Sequence, residues 1–332
     1  MPARRRRSTS NSGWVSGSPV RRLATVLTFA ALLAIPVPAA AYPPQVLVYV
    51  ANTGSDNVTV YDTRLSETIA TVGVGDGPVG VGATPDGDLV YVTNEQSDSV
   101  SVLDGRTHVV VATVPVGANP FGVTATKSFA YVANFGSDSV TVINVATQQP
   151  VTEIPVGRYP HTPAANPDGT RVYVTNNGGA SVTVIDTRIN KAIGTIPVGR
   201  FPAGIAFGPR GDRLYVANTG DDTVSTISSD EPTATVPVGD APMGLSVTPQ
   251  GVVYVANAGA DTISVINSPT AGTTSTVQVE RRPEGAAAAP DNSFVYITNT
   301  ASNTMSVIDT ATSKPVATVP VGQQPEGLDV TG

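Results

Sequence analysis

The sequence predicts an all-β fold, a seven-bladed β-propeller of four-stranded antiparallel blades. Three observations carry this. A tetrad of Tyr, Val or Ile, Ala or Thr, and Asn occurs seven times, starting at Tyr49, Tyr91, Tyr131, Tyr173, Tyr215, Tyr254 and Tyr296. The starts lie 42, 40, 42, 42, 39 and 42 residues apart, and a period in the low forties with several β-rich segments per unit marks a propeller blade. A Pro-x-Gly motif recurs at Pro78, Pro120, Pro202, Pro242, Pro283 and Pro325, and in broken form at Pro160-His161-Thr162. Finally, 32 glycines and 28 prolines in 332 residues suit many short strands joined by tight turns.

The unit opening at Pro78 shows the strands in order. The first follows Pro-x-Gly and ends at Pro85-Asp86-Gly87, a proline-led turn. The second runs from Leu89 to Thr93 and ends at Asn94. A polar turn around Ser97-Asp98-Ser99 leads to the third, Val100 to Asp104, where β-branched and small residues alternate. The fourth, Val109 to Val116, closes at Gly117. The first repeat starts at its second strand, Val46 to Ala51, and the last Pro-x-Gly strand, residues 325 to 330, has no blade after it. Pairing these two ends completes a seventh blade and removes the exposed edges of an open array.

Residues 1–41 carry a different pattern. Arg4 to Arg7, Arg21 and Arg22 form a basic start, Leu23 to Val37 an apolar core, and Ala39-Ala40-Ala41 a small-residue cleavage site. The core is too short, and too interrupted by Pro36, for a good membrane span. The expectation is a cleaved signal peptide over 1–41 and a mature propeller over 42–332, secreted or held in the cell envelope. Arg21-Arg22 raises twin-arginine export, but Leu23-Ala24-Thr25 lacks the bulky apolar pair, so the route stays open. With no cysteine, a lipid-anchored N-terminus is not expected, nor are disulfides.

Of the 19 basic residues six lie in the leader, and none of the 26 acids does, so the mature domain carries 13 minus 26, or −13. Such a surface repels phosphate backbones and anionic lipid heads, which argues against nucleic acid and membrane as partners.

The tetrads, the Pro-Asp-Gly turn, strands such as SVTVIDT from Ser181 and the Ile-Pro-Val-Gly segments at Ile154 and Ile196 resemble the YVTN-family β-propeller repeats. The resemblance covers Tyr49 to Gly332. It implies an exported or cell-surface propeller, related in fold to lactonase-type and quinoprotein-type propellers. It carries no catalytic residue over to this chain.

Tetrad residues recur in every blade and so read as scaffold, the Tyr packing between sheets and the Asn capping the following turn. The same holds for Asp86, Asp168 and Asp291, and for Asp56, Asp98 and Asp138. Each of these turns supplies too few oxygens for calcium. Function is expected where the repeats differ, in the loops around Pro-x-Gly that open on one face of the channel. Phe121, Arg158, Tyr159, His161, Arg200 and Phe201 come from consecutive blades and combine aromatic faces with cations, a mixture suited to an anionic or aromatic small molecule or to a peptide. Arg281, Arg282, Glu284 and Glu326 form a second group, in which mutual salt bridging is expected.

His161 sits in the one motif that lost its glycine and could act as a base or metal ligand. His108 lies on an outer turn, and a site of His161 with Glu284 and Glu326 would have to span the channel. There is no CxxC, HExxH, Walker loop, GxSxG elbow or GxGxxG, so no metal or cofactor is implied. The leading expectation is an exported, non-enzymatic binding or scaffold module, acting as a monomer. The alternative is an enzyme at the channel mouth, a lactonase-like hydrolase or a lyase.

Overall fold

Seven four-stranded antiparallel sheets stand around a central channel. The computed structural model describes residues 46–267 and 275–331. They belong to one of two units into which the chain divides, Pro43–Gly332. The expected export signal, 1–41, lies outside the described residues.

Blade 1 is built from both ends of the repeat region. Pro325–Thr331 is its inner strand, followed outward by Leu47–Asn52, Asn57–Asp62 and Glu67–Gly73. The closure is antiparallel, with Leu47 opposite Thr331, Val48 opposite Val330 and Tyr49 opposite Asp329. Blades 2 to 7 follow in chain order, with inner strands Pro78–Ala83, Pro120–Ala125, Pro160–Ala165, Pro202–Phe207, Pro242–Val247 and Pro283–Ala288. Adjacent inner strands touch all the way round, so the ring is closed.

The core is divided among the blade interfaces. Each of seven apolar clusters joins two neighbouring sheets, as where Tyr49, Val58 and Val60 of blade 1 meet Val90, Val92 and Leu103 of blade 2. The period-2 alternation of β-branched residues makes this possible, because each sheet buries both faces. The outermost strands instead expose residues such as Ile69, Val111, Val151 and Val316. Their edges carry prolines at Pro150, Pro232 and Pro315, which cannot donate to an added strand.

Tetrad tyrosines are buried between blades, and the hydroxyl crosses to the next blade. Tyr91 Oη donates to Gln148, Tyr131 Oη to Asn190 and Tyr173 Oη to Asp230. Tyr49 meets Gly105 O and His108 Nδ1 in the same way, which gives His108 a structural role.

The tetrad asparagines do not cap the following turn, as the sequence had suggested; those at 52, 94 and 176 make no cap hydrogen bond. Each is fully buried and spends its amide on the third strand of its own blade. Asn176 Nδ2 donates to Ser181 Oγ at 3.0 Å and Thr183 Oγ1 at 2.9 Å, and its Oδ1 accepts from Gly157 N at 3.1 Å. The same double donation recurs in the other six blades. A buried Nδ2 needs these partners, since an unmatched donor in the core is costly; Oδ1 accepts in blades 4 and 5 and has no partner among the described residues at Asn52, Asn94, Asn134, Asn257 and Asn299.

The Gly of Pro-x-Gly is explained by the channel. A Cβ on Gly122 would lie 2.7 Å from His161 O, and one on Gly80, Gly204, Gly244, Gly285 or Gly327 would fall still deeper into the next inner strand's backbone. In these six blades the inner strand lies too close to its neighbour for a side chain on that face. Blade 4 alone has Thr162 there.

Candidate functional site

The residue after each opening proline stands near the start of an inner strand, at one end of the channel. Around the ring these are Glu326, Val79, Phe121, His161, Ala203, Met243 and Glu284, one from each blade in order. All but Ala203 line a cavity of about 150 Å³ to which every blade contributes. Val81, Ile205, Leu245 and Leu328 form its apolar wall further along the strands. The lining includes His161, Glu284 and Glu326, with the histidine on blade 4 and the acids on blades 7 and 1, across the channel from it. Among its lining residues there is no Lys or Arg.

The ring has two unlike sides. Phe121 and His161 adjoin, with ring centroids 3.9 Å apart. Opposite them stand Glu284 and Glu326, also on adjacent blades. His161 is 8% exposed; its Nδ1 lies 2.9 Å from Thr162 Oγ1, and Nε2 has no partner among the described residues. Burial lowers its pKa from 6.5 to about 4, so the imidazole is neutral. Glu284 Oε1 accepts from Arg282 Nε at 2.7 Å, which makes the expected salt bridge. Glu326 has no ion pair among the described residues. Burial, then repulsion from Glu284, raises its pKa from 4.5 to about 7.

Other residues of the two sequence groups stand on the rim. The residue before each opening proline is left-handed in all seven blades, with φ between 48° and 62°. At Tyr159 and Phe201 this displays a large ring, 41% and 53% exposed. The two rings lie over Gly178 and Gly220, where a Cβ would come within 2.5 Å of each. Arg200 is committed to Asp221, with Nε 2.5 Å from Oδ1, and to Gly220 O. Arg281 donates to Ala301 O. Arg158 lies with its guanidinium 5.2 Å from the Tyr159 ring centre and makes no ion pair among the described residues. Of the first group it alone remains an unpaired cation.

Sequence reasoning missed Phe135. Its ring stacks on Tyr159 at 5.0 Å and meets Phe121 at 6.3 Å, linking the rim to the channel. The signal was present: Phe135 follows the tetrad Asn, where other blades carry Thr53, Glu95, Asn177, Thr219, Ala258 and Thr300. Four of those, Thr53, Asn177, Thr219 and Thr300, bond the next blade's opening-proline carbonyl. Blade 3 has exchanged that bond for an aromatic contact. Among the described residues no cluster of three His, Asp or Glu could hold a metal ion.

The family described as Lactonase, 7-bladed beta-propeller matches residues 40–197, which reach to the outer strand of blade 4. No curated protein matches the sequence. Among solved structures, hydrazine synthase from Kuenenia stuttgartiensis is 23% identical with a TM-score of 0.71, over 79% of this chain and 92% of that one. A functionally unknown protein from Desulfotomaculum acetoxidans is 17% identical with a TM-score of 0.76, over 86% and 98%. A putative 6-phosphogluconolactonase from Bacteroides uniformis is 17% identical with a TM-score of 0.74, over 86% and 99%. At such identities the likeness is one of fold. The chain is a seven-bladed β-propeller, similar across its first four blades to the lactonase-type propellers.

Proposed function

We propose that this protein is an exported, non-enzymatic binding module that takes a small ligand at the channel mouth. The observation that carries the reading is the cavity itself. It is contributed by all seven blades, walled mainly by apolar groups, and furnished with few polar groups, His161, Thr162, Glu284 and Glu326. Such a combination is what a small-molecule site needs. The chain of rings from Phe121 through Phe135 to Tyr159 extends the apolar surface outward, where Arg158 and Phe201 are further contacts. His161 and Glu326 stand on opposite sides of the ring, which suits holding a ligand at two ends better than moving a proton at one atom.

Export rests on the leader pattern in residues 1–41. The test is mass spectrometry of small molecules that accompany the mature protein purified from envelope or medium. A stoichiometric compound released by Phe121→Ala supports the reading; one retained unchanged places the site elsewhere.

A second reading, lactonase-like hydrolysis, is favoured by the similarity over residues 40–197 and by the fold shared with a putative 6-phosphogluconolactonase. His161 would then be the base. A phosphorylated substrate fits poorly, because the cavity lining lacks any cation. Hydrolysis of unphosphorylated gluconolactone above the buffer rate, abolished in His161→Ala, would move the assignment to an enzyme.

A further inference from the structure

The channel mouth is divided by charge and by shape, and this division selects a ligand class. Going round the ring, the acidic pair Glu284 and Glu326 occupies blades 7 and 1, and the ring pair Phe121 and His161 occupies blades 3 and 4. Val79 separates the pairs on one side, Ala203 and Met243 on the other. Glu284 shares its charge with Arg282, whose side chain stays 63% exposed outside the cavity. Glu326 makes no ion pair among the described residues, and only a hydrogen bond with Thr53 and the more distant Arg282 favour its charged form. Once ionised, Glu326 therefore places a negative charge with no ion-pair partner on an apolar space. Across from it lies the ring of Phe121, packed against His161, and the neutral His161 leaves Nε2 unpartnered among the described residues though the residue is over nine-tenths buried.

We propose that this mouth binds a small organic cation, a protonated amine carried on an aromatic or aliphatic body, with Glu326 as its counter-charge and the Phe121–His161 pair as the platform for its body. The proposal rests on the reading of the channel mouth as the ligand site. A cation would be drawn in by the −13 charge of the mature domain. It would replace water at Glu326 with a charge-assisted hydrogen bond, and its body would cover the apolar wall of Leu245 and Leu328. A carboxylate or phosphate of the same size would meet Glu284 and Glu326 directly. That repulsion gives selectivity as well as affinity.

Three probes of matched shape test this by calorimetry on the mature chain: 2-phenylethylammonium, 2-phenylethanol and 3-phenylpropanoate. At about pH 8, where Glu326 is ionised, the ammonium should bind more tightly than the alcohol by about tenfold or more. The anion should bind least. Glu326→Gln, of nearly unchanged shape, should erase the preference for ammonium over alcohol. Phe121→Leu should weaken both. Lowering the pH towards 5 should also erase the preference, as Glu326 takes up its proton; Glu284, Glu95 and Arg282 are the charges that act on it.

If alcohol or anion binds as tightly as the ammonium, and Phe121→Leu weakens it, the channel site stands and the cation inference falls. Binding of the ammonium that neither substitution changes overturns both. Failure of all three probes to bind at millimolar concentration overturns the cation inference, and the search for a co-purifying compound then judges the channel site separately.

Discussion

Asp138 Oδ1 accepts a hydrogen bond from Tyr159 N at 2.8 Å, and both residues are left-handed, with φ of 51° and 52°. One closes the turn between second and third strands of blade 3; the other is the last residue before blade 4. The same bond joins Asp56 to Gly77, Asp98 to Asn119, Asp222 to Ala241, Asp261 to Arg282 and Asn303 to Gln324. A short acceptor that tolerates positive φ is thus tied to the loop that presents the rim. The acids of these turns hold the site loops, and this accounts for their recurrence better than any ion.

Blade 4 breaks the rule, because Ala180 stands where the others have Asp or Asn, at φ 45°. No side chain is left there to accept from Phe201 N. Ala180→Asp should restore the bond and stabilise the protein by about 0.5–1 kcal/mol, and Asp138→Ala should cost about 1 kcal/mol. Urea unfolding of the two variants checks this. A neutral Asp138→Ala would mean that the pairing is incidental.

Gly244→Ala should be far more damaging than a typical surface change. Its Cβ would enter the backbone around Glu284 O and Gly285, neither of which is a flexible side-chain end. Overpacking of this kind costs about 1–3 kcal/mol, and here the strand cannot withdraw without opening the ring. Gly194→Ala, where a Cβ meets nothing within 4 Å, is the control. Equal melting temperatures for the two would overturn the account of Pro-x-Gly.

Blade number, strand order and closure were legible because each interface makes the same packing demand, so Tyr49 and its six counterparts repeat visibly. The Asn role was not, since its partners at Ser181 and Thr183 are hydroxyls in a strand that reads simply as alternating. The site was legible in part. Divergence from the repeat picked out Phe121, His161, Glu284 and Glu326. It also picked Arg200, whose pairing with Asp221 joins two turns 21 residues apart and leaves no mark in the sequence. Counting blades sets His161 across the channel from the two glutamates, but how closely the inner strands crowd the axis is a matter of three dimensions.

Deleting Pro325 to Gly332 should abolish folding. The segment supplies the whole inner strand of blade 1, and Leu328 belongs to the cluster with Val48, Val50 and Tyr296. Its loss exposes the edge of Leu47–Asn52 and uncovers the inner strands of both neighbouring blades, at a cost comparable to the about 5–15 kcal/mol that holds a domain together. The truncated chain should be insoluble or should lack a cooperative melt. A soluble product with unchanged melting temperature would show that blade 1 closes in another way.

Glu326 should make stability fall as pH rises through the weakly acid range. Its pKa is raised from 4.5 unfolded to about 7 folded, so the folded state holds the proton more strongly than the unfolded chain. The stability from this group is therefore full below about 4.5, declines between 4.5 and 7, and is absent above. His161 acts in the opposite sense, since its pKa is lowered to about 4 and stability is lost as pH falls from 6.5. Asp329, raised to about 6 by burial, adds to the Glu326 trend over a lower window. Whole-protein curves mix all three, so the informative quantity is the melting temperature of Glu326→Gln minus that of the unaltered protein. Glutamine cannot titrate, and the contributions of His161 and Asp329 cancel in the difference. That difference should be smallest near pH 4.5, rise through the interval and level off above about pH 7. A difference independent of pH would mean that Glu326 ionises as freely as an exposed carboxylate, and the mouth of the channel would then be open to water rather than closed around an acid.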